Sequence, residues 1–477
     1  MKLYKSKRLL IPVIILITIL LLFTFLYKSN KTTTLQIFIG VPKDGINRVL
    51  YVTDLYAVKT EGSGDSWATA YGYDELQTAI DDAEAAYTGS KQRYVVIKKG
   101  VYKPTHKQKK STHSKREKHF SLRNGVTVIG GYNGDETDGI PAGNEVTILS
   151  GDIGILNNNA DNSYHVFYHN EEANLNSTAV LQNVIITGGN ANGAYPHYDG
   201  GGMFNHKSSP IIIGCSFIKN NASSGGGLEN YKSKSKISNC NFLENTSGQG
   251  GGVSNQYSNT TIINCNFANN VAKYGGGGIL NMEGNPDISG CNFTGNTANE
   301  GGGIHNHRSS ASITNCNFIK NTAINDGGGM FNNANSEIIE NKRVIVRNCS
   351  FLNNTAANYG GGMYSLDCSP NIISCNFIEN TAKNGGGMSN GGSNPIFINC
   401  DFIQNQAQND GGGMNNYLSG ACFIINCNFN KNTAIIGKGG AIYNNRSSYI
   451  DCFTPSYGTG NKANTAGEDY PNLYQEE

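Results

Sequence analysis

The sequence predicts an all-β protein, a right-handed parallel β-helix with about 25 residues in each coil. Three observations support this prediction. Cysteines recur 25 to 27 residues apart with one interval of 33 residues, a phenylalanine follows the first nine of them by two positions, and an asparagine follows the same nine by five. Such a period is typical of a solenoid, and right-handedness follows from the general preference of parallel crossover connections.

Cysteine and phenylalanine form the first two predicted columns of side chains. Because they stand two residues apart, they share one face of a strand, which we predict to be the inward face. The cysteine column comprises Cys215, Cys240, Cys265, Cys291, Cys316, Cys349, Cys375, Cys400 and Cys427, with Cys452 at its end. The phenylalanine column comprises Phe217, Phe242, Phe267, Phe293, Phe318, Phe351, Phe377, Phe402 and Phe429.

A bend is predicted immediately before each cysteine. An apolar residue stands three positions before the cysteine, as Ile212 and Ile237 do, and a straight strand would turn it to the opposite face. The intervening residue is Gly, Asn, Ser or Asp, as at Gly214 and Asn239, and most of these types tolerate left-handed backbone angles. One strand therefore ends there and another begins.

The asparagines form a third predicted column. Equivalent asparagines on coils ~4.8 Å apart can hydrogen-bond in a ladder and also hold a turn. The column comprises Asn220, Asn245, Asn270, Asn296, Asn321, Asn354, Asn380, Asn405 and Asn432. A run of glycines follows each of them, then an apolar residue such as Met203, and two positions later a second polar column that begins at Asn205. We expect three short strands and three turns in each coil.

Two other repeat architectures fit less well. A leucine-rich repeat has a similar period but requires leucine columns, which the coils lack, and a propeller blade needs ~40 residues.

The recurring phrases FxxN and GGG[IMLV] carry a resemblance to a known family. They occur as FIKN, FLEN and FANN, and as GGAI at Gly439 to Ile442, across roughly residues 183 to 453. This pattern resembles the repeat of polymorphic outer membrane proteins, which implies an exported, surface-displayed β-helix that functions in adhesion. Because the sequence ends at Glu477 with no room for the membrane β-barrel of that family, we do not expect autotransport.

A capping helix is predicted upstream of the repeats, in the stretch DELQTAIDDAEA. Asp74 is the predicted N-cap, with Gln77 three residues on, and Leu76, Ala79, Ile80 and Ala83 share one face. The succession of a helix, GVYKP, NGVTVIGG and TILSGD is similar to the opening of pectate-lyase-like β-helix proteins. A coil with Val184 in place of cysteine is predicted at residues 181–186.

Residues 9–27 form an uncharged, apolar segment of 19 residues, long enough to cross a bilayer core of ~30 Å. Lys2, Lys5, Lys7 and Arg8 precede it, so the positive-inside rule keeps the N-terminus in the cytoplasm. We predict an uncleaved signal anchor and an extracytoplasmic protein at the cell envelope or surface. A cleaved signal peptide, which would make the protein secreted, and a buried core helix are the alternatives.

The predicted domain organisation has five parts. Residues 1–30 form the cytoplasmic stub and anchor, 31–50 a linker, 51–123 the N-terminal cap and first strands, 124–465 the β-helix, and 466–477 a C-terminal tail. Fold and repeat period are the basis for these boundaries.

The charge balance, 37 basic against 36 acidic residues, indicates no nucleic-acid partner. A local basic segment at residues 103–119 predicts either a solvated loop or a contact with an anionic polymer.

The cysteines are predicted to be free, buried thiols, because in-register positions lie ~4.8 Å apart and disulfide Cβ atoms prefer about 3.5–4.5 Å. Cys368 and Cys422 lie off the column and two coils apart. A zinc site would need clustered ligands, and calcium shared by Glu300 and Asp326 would need six to eight oxygens. No metal or other cofactor is predicted.

Two insertions are candidates for a functional surface, because binding usually resides on loops of a rigid scaffold. Residues 190–199 carry Tyr195, His197 and Tyr198, the predicted ligand-binding residues, while residues 333–343 account for the longest coil. The resemblance implies an adhesin-like protein that binds glycans or other cell-surface ligands. A polysaccharide lyase or glycoside hydrolase, and a passive envelope protein, are the alternatives, and no catalytic residues are predicted.

Overall fold

The structure, a computed structural model, describes residues 49–53, 66–89, 91–105, 114–135, 146–334, 343–418, 421–445, 449–453, 456–457, 461–463 and 473–475. The predicted anchor at residues 9–27 and residues 106–113 of the basic segment lie outside these residues, as do residues 335–342 of the second insertion. No helix in the described part of the chain is long and apolar enough to span a membrane.

The described chain folds as a parallel β-helix with four sheets, numbered here in the order in which one coil visits them. Sheet 1 contains Val49–Val52, Arg93–Lys98, Val126–Tyr132, Val180–Gln182, Ile211–Ile213, Lys236–Ser238, Thr261–Ile263, Asp287–Ser289, Ser312–Thr314, Ile345–Arg347, Asn371–Ile373, Ile396–Ile398, Ala421–Ile425 and Tyr449–Phe453. Sheet 2 contains Gly100–Tyr102, Thr147–Ser150, Ile185–Thr187, Ser216–Ile218, Asn241–Leu243, Asn266–Ala268, Asn292–Thr294, Asn317–Ile319, Ser350–Leu352, Asn376–Ile378, Asp401–Ile403, Asn428–Asn430 and Ser456–Tyr457.

The other two sheets complete each coil. Sheet 3 contains Asn190–Ala191, Asn221–Ser224, Thr246–Gln249, Val271–Ala272, Thr297–Glu300, Thr322–Asp326, Thr355–Ala356, Thr381–Ala382, Gln406–Ala407, Thr433–Ala434 and Lys462–Ala463. Sheet 4 contains Phe167–His169, Met203–His206, Leu228–Tyr231, Val253–Gln256, Ile279–Met282, Ile304–His307, Met330–Asn333, Met363–Leu366, Met388–Gly391, Met414–Tyr417, Ile442–Asn444 and Leu473–Gln475.

The prediction of three strands in each coil is therefore wrong. Sheet 3 is the additional sheet, and its strands follow the asparagine column. Most of these strands have only two to four residues and a single inward alanine, such as Ala272 or Ala298, so no alternation of side chains marks them in the sequence.

Single left-handed residues make the corners between the sheets. In the coil that begins at Ile211 they are Gly214, Lys219, Gly225 and Lys232, with φ angles of 61°, 54°, 61° and 53°. The predicted bend before cysteine is confirmed, since Asn239 adopts a φ of 53° at the next coil. The turn expected at the asparagine column is present, but its left-handed residue was not predicted, because side chains such as Lys219 and Glu244 rarely adopt that conformation and give no signal for it.

The predicted columns stack inside the β-helix in register from coil to coil. Phe217 pairs with Phe242, and Ile313 pairs with Val346 across the longest coil, whose extra residues leave the register unchanged. Neighbouring phenylalanine rings of the column lie 4.6 to 4.9 Å apart between centroids and within 7° of parallel. These rings are fully buried and form the centre of the core.

The cysteines of the described residues are buried free thiols, as predicted. Each column thiol lies near a carbonyl two residues before it, as Cys291 Sγ does to Ser289 O at 3.3 Å. Cys368 and Cys422 are also buried and form no disulfide bond.

The cap contains the helix Leu76–Ala85, preceded by the 3-10 helix Trp67–Thr69; further 3-10 helices are Lys115–Glu117, Asn159–Asp161 and Glu171–Ala173. Its predicted face is confirmed, because Leu76, Ala79, Ile80 and Ala83 are all buried. The N-cap is Glu75 rather than Asp74, and it makes no side-chain capping bond. Glu75 instead accepts from the Gly72 N–H, while Gln77 bonds to the backbone of Ser121.

Candidate functional site

A continuous line of side chains runs along the β-helix where sheet 3 meets sheet 4 at the glycine runs. Two residues of each coil approach each other there, one just before the left-handed glycine and one four positions after it. Both side chains lie on the side of the backbone that faces away from the core. Ser224 Oγ donates to Glu229 Oε2 at 2.8 Å, and the rings of Tyr359 and Tyr364 stack at 5.4 Å. This line is called the glycine notch.

The notch is defined by two columns of residues. Before the glycines stand Asp199, Ser224, Gln249, Gly275, Glu300, Asp326, Tyr359, Asn384, Asp410 and Lys438. After them stand residues that are buried except for the last: Phe204, Glu229, Ser254, Leu280, His305, Phe331, Tyr364, Ser389, Asn415 and Tyr443.

Glycine is required in the notch by close approach of the backbone. Gly225 has a φ of 61°, and a Cβ atom there would lie 2.5 Å from Leu228 O. A Cβ atom at Gly227 would lie 2.5 Å from Gly252 O of the next coil. The runs thus let each coil fold back on itself while it stacks on its neighbour.

The predicted ligand-binding loop, residues 190–199, lies at the N-terminal end of the notch, where it ends in Asp199. Tyr195 is 78% exposed and Tyr198 is 37% exposed, and their ring centroids are 6.1 Å apart. His197 differs from them, because it is half-buried and stacks on Tyr164 at 5.0 Å. The structure therefore presents the two tyrosines outward and uses the histidine to support the loop.

Arg116 holds this loop on the scaffold. Its guanidinium donates to Asn162 O at 2.6 Å, Asn190 O at 2.8 Å and Asn192 Oδ1 at 2.7 Å. It also lies 4.2 Å from the centre of the Tyr164 ring, and burial lowers its pKa. Arg116 belongs to the basic segment of residues 103–119. Because its guanidinium is hydrogen-bonded to the chain, Arg116 has a structural role.

A buried histidine supports the loop from below. His165 Nδ1 lies 3.0 Å from Gly200 O, which can only accept, so Nδ1 carries the proton and Nε2 accepts from His197 Nδ1 at 3.2 Å. Burial lowers the pKa of His165 to about 3 and also lowers the pKa of His197. Both rings are therefore neutral at pH 7, as the bond between them requires.

Asp199 and Glu229 form the first pair of carboxyl groups in the notch. Burial raises the pKa of Asp199 to about 7. Burial and then the charge of Asp199 raise the pKa of Glu229 well above its usual value. Glu229 is 1% exposed, and its Oε1 atom has no hydrogen-bond partner, so we assign it as a protonated, buried acid.

Glu300, His305 and Asp326 form a second acidic cluster farther along the notch. Glu300 and Asp326 occupy the same register position on adjacent coils, as the sequence predicted. Burial and the charge of Asp326 raise the pKa of Glu300, and burial raises the pKa of Asp326. His305 Nδ1 lies 3.9 Å from Glu300 Oε2. Within the described residues, no group of three or more His, Cys, Asp or Glu side chains is arranged to hold a metal ion.

Three tyrosines continue the notch beyond this cluster. The ring of Tyr359 lies 5.4 Å from that of Tyr364 and 5.1 Å from that of Tyr417, and the hydroxyl groups of Tyr364 and Tyr417 contact each other. Burial raises the pKa of Tyr364 and of Tyr417. Sequence reasoning missed this cluster, although Gly391 gave a signal: a Cβ atom there would lie 2.6 Å from the Tyr417 hydroxyl.

The fold and site define a parallel β-helix protein with a polar and aromatic outer notch. No protein-family model matches this chain, and no curated protein sequence matches it. The predicted membership of the polymorphic outer membrane protein repeat therefore stays a prediction.

Solved structures of other β-helix proteins are similar to the chain. They include the A-module of mannuronan C-5 epimerase AlgE4 from Azotobacter vinelandii, at 11% identity and a TM-score of 0.38 over 85% of this chain and 97% of that one. The surface adhesin PfbA of Streptococcus pneumoniae matches at 12% identity and 0.35, over 85% and 89%. Pectate lyase Pel9A matches at 14% identity and 0.32, over 88% and 82%. These likenesses concern the solenoid and carry no information on activity.

Proposed function

We propose that the protein is a cell-surface β-helix that binds a polysaccharide along the glycine notch, with Tyr195 and Tyr198 as the contact at its N-terminal end. The observation that carries this proposal is the pair of outward tyrosines on a loop that is fixed by Arg116 and His197. Tyrosine supplies a large amphipathic contact at low cost in conformational entropy, and a preformed loop lowers that cost further.

The shape of the notch supports an extended ligand. Equivalent positions recur at each coil, with a spacing of ~4.8 Å between neighbouring strands. A linear polymer has repeating units that can contact successive coils of such a surface. The carboxyl, amide, hydroxyl and imidazole groups of the notch can form hydrogen bonds with the hydroxyl groups of a sugar. Display at the surface rests on the apolar segment at residues 9–27 and on the repeat phrases FxxN and GGG[IMLV].

A polysaccharide-cleaving enzyme is the second candidate function. The close carboxyl groups of Glu300 and Asp326, with raised pKa values, favour it because general acid and base catalysis uses such pairs. Incubation of the full chain with polysaccharides would show turnover by the release of reducing ends or unsaturated products. Such turnover, lost in Glu300→Gln, would replace the binding function with a catalytic one.

The test of binding is retention of the full chain on immobilised polysaccharides and on whole cells. The double variant Tyr195→Ala/Tyr198→Ala removes the exposed rings, and Tyr257→Ala, an exposed tyrosine at a corner outside the notch, is the matched control. We expect retention of the wild type and the control, and loss of retention in the double variant at unchanged thermal stability. Equal retention of all three proteins, or no retention of any, would contradict the proposal.

A further inference from the structure

The second acidic cluster contains a buried nitrogen atom without a hydrogen-bond partner. His305 is 7% exposed, and its Nδ1 atom has no hydrogen-bond partner. The other ring nitrogen, Nε2, lies 3.1 Å from Asn333 Oδ1, and His307 Nδ1 lies 2.9 Å from the same oxygen. Two ring nitrogens that converge on one amide oxygen both donate to it, so Nδ1 of His305 presents a lone pair.

Nδ1 of His305 faces two residues of the notch, Gly275 and Glu300. Glu300 Oε2 is the acidic oxygen beside it, at 3.9 Å, which is too long for a hydrogen bond. Burial lowers the pKa of His305 to about 4, so the ring is neutral and keeps an acceptor at Nδ1. A buried acceptor without a donor is costly, which indicates that a donor from outside the chain completes it.

A glycine outside the regular pattern makes room for this histidine. Gly275 precedes the left-handed Gly276, at a position where other coils carry residues such as Gln249 and Glu300. A Cβ atom at Gly275 would overlap Nδ1 of His305. The chain thus contains one additional glycine at the place where the imidazole needs it.

Aromatic side chains border the cluster. The Phe331 ring lies 4.9 Å from that of His305 and 5.2 Å from that of Tyr364. The Tyr359 N–H donates to Asp326 Oδ1 at 3.1 Å, which fixes that carboxyl group beside the tyrosines. Fixed acceptors beside aromatic rings form the kind of surface that binds a molecule with both apolar faces and hydroxyl groups.

The charges of the notch select against an anionic ligand. Its two columns contain five carboxyl groups, at Asp199, Glu229, Glu300, Asp326 and Asp410, of which Glu229 is protonated, and one cation, Lys438. Cations near the second cluster have partners: Arg308 lies 3.9 Å from Glu283, and Lys273 lies 4.9 Å from the centre of the Tyr274 ring. An added carboxylate would be repelled by Glu300 and Asp326.

We propose that Glu300, His305 and Asp326 form a binding subsite for a neutral sugar, whose hydroxyl groups donate hydrogen bonds to the two carboxyl groups and to His305 Nδ1. This inference rests on the proposed polysaccharide binding and names the ligand class, neutral rather than uronate polymers. A hydroxyl group inserted beside Glu300, whose side chain is 35% exposed, supplies the donor that Nδ1 lacks.

Three substitutions test the subsite, and each has a precedent in the same column of the notch. Another coil naturally carries each new residue at the equivalent position: Phe331 for His305→Phe, Gln249 for Glu300→Gln, and Asn384 for Asp326→Asn. The fold therefore accommodates the new side chains. Asp287→Asn is the control, since it makes the same chemical change at an exposed position of sheet 1, outside the notch.

The measurement is calorimetric titration of the full chain at pH 7 with cellohexaose and mannohexaose as neutral probes and with hexagalacturonate as the anionic probe. We expect a neutral probe to bind and hexagalacturonate to bind at least about tenfold more weakly. Each of the three variants should lose about tenfold in affinity for the neutral probe, the equivalent of one hydrogen bond to a charged or buried group, while Asp287→Asn retains it.

Two results would overturn the inference, and they are distinguishable. Binding that depends on Tyr195 and Tyr198 but is unchanged in the three variants, or that prefers hexagalacturonate, overturns the subsite and leaves the proposed function intact. Absence of binding to any saccharide overturns both.

Discussion

Asn245 accepts two hydrogen bonds from Asn220 at a single Oδ1 atom, one from the backbone N–H and one from the side-chain Nδ2, each at 3.1 Å. Its own Nδ2 donates to Phe217 O of the preceding coil at 2.9 Å. Each ladder asparagine thus satisfies buried polar atoms of the preceding coil, and the pattern continues to the pair of Asn432 and Asn461. The ladder fixes the corner on which each glycine run, and so the notch, is placed.

Loss of one asparagine from the ladder should destabilise the β-helix. In Asn296→Ala, the backbone N–H and Nδ2 of Asn270 lose their acceptor and Phe267 O loses its donor. We expect a loss of about 3 kcal/mol in the free energy of unfolding, measured by urea denaturation. Asn292→Ala, at an outward position of the strand Asn292–Thr294, should change it by less than about 0.5 kcal/mol. Equal effects of the two substitutions would contradict the assigned role of the ladder.

The thiols should be present but unreactive in the folded protein. The chain has twelve cysteines, and the eleven whose side chains are described are buried and form no disulfide bonds. Burial raises the pKa of Cys240, Cys265 and Cys291, which removes the reactive thiolate. A thiol reagent should therefore label no more than one cysteine in the native protein and all twelve after denaturation without reductant. Ten or fewer labelled thiols in the denatured protein would show disulfide bonds.

Glu229→Gln should change how stability depends on pH. The folded-state pKa of Glu229 is raised, so its contribution to stability is present below the unfolded pKa of about 4.3 and is lost as pH rises above it. The variant should resemble the wild type near pH 4 and be about 2 kcal/mol more stable near pH 8. At pH 8 the wild type must either keep a proton on the buried Glu229 carboxyl group or bury its charge, whereas glutamine does neither.

The comparison of variant with wild type isolates this carboxyl group. Buried His119, His165, His169 and His305 have lowered pKa values, so their contribution is lost as pH falls below about 6.5, and it is common to both proteins. Glu244→Gln, an exposed glutamate that faces Lys219, is the control and should show no such divergence. A constant difference between Glu229→Gln and wild type at all pH values would refute the assignment.

Arg116→Ala should weaken saccharide binding, although Arg116 acts through the loop and not by contact with the ligand. The substitution removes the bonds to Asn190 O and Asn192 Oδ1 that hold the loop of residues 190–199. We expect about tenfold weaker binding in the calorimetric titration, since the loop must be ordered when ligand binds. Lys115→Ala changes the neighbouring exposed cation and should have no effect. Unchanged affinity in Arg116→Ala would show that the loop does not contribute to binding.

Gly275→Ala should affect binding through His305. The new Cβ atom would overlap Nδ1, so the imidazole must move out of its position. Affinity for the neutral probe should fall to the level of His305→Phe, and the double variant should be no weaker than either single variant, because both changes act on one group. Additive losses would indicate that Gly275 acts by another route. Asp287→Ala, at an exposed position of sheet 1 outside the notch, serves as the control.

The columns of the core could be predicted because each follows from one residue type at one spacing. Phe217 and Cys215 alternate on one strand, and Asn220 marks the next corner, so period and parity define sheets 1 and 2. Sheet 3 could not be predicted, because strands such as Val271–Ala272 are too short to show any alternation.

The candidate site was predicted only at its N-terminal end. Tyr195 and Tyr198 stand out in an insertion between repeats, whereas His305, Tyr364 and Tyr417 occupy positions where the repeat tolerates any outward residue. Their proximity depends on the approach of residues before and after the glycine runs, and the fold alone reveals it. The additional glycine at Gly275 was the one visible signal of the second cluster.

The most direct test of the account is a crystal structure of the full chain with a neutral hexasaccharide that binds it. We expect sugar rings along the glycine notch, with hydroxyl groups within hydrogen-bond distance of Glu300, Asp326 and His305 Nδ1 or with a ring against Tyr195 and Tyr198. Sugar bound only on the outer faces of sheets 1 and 2, away from these residues, would contradict it.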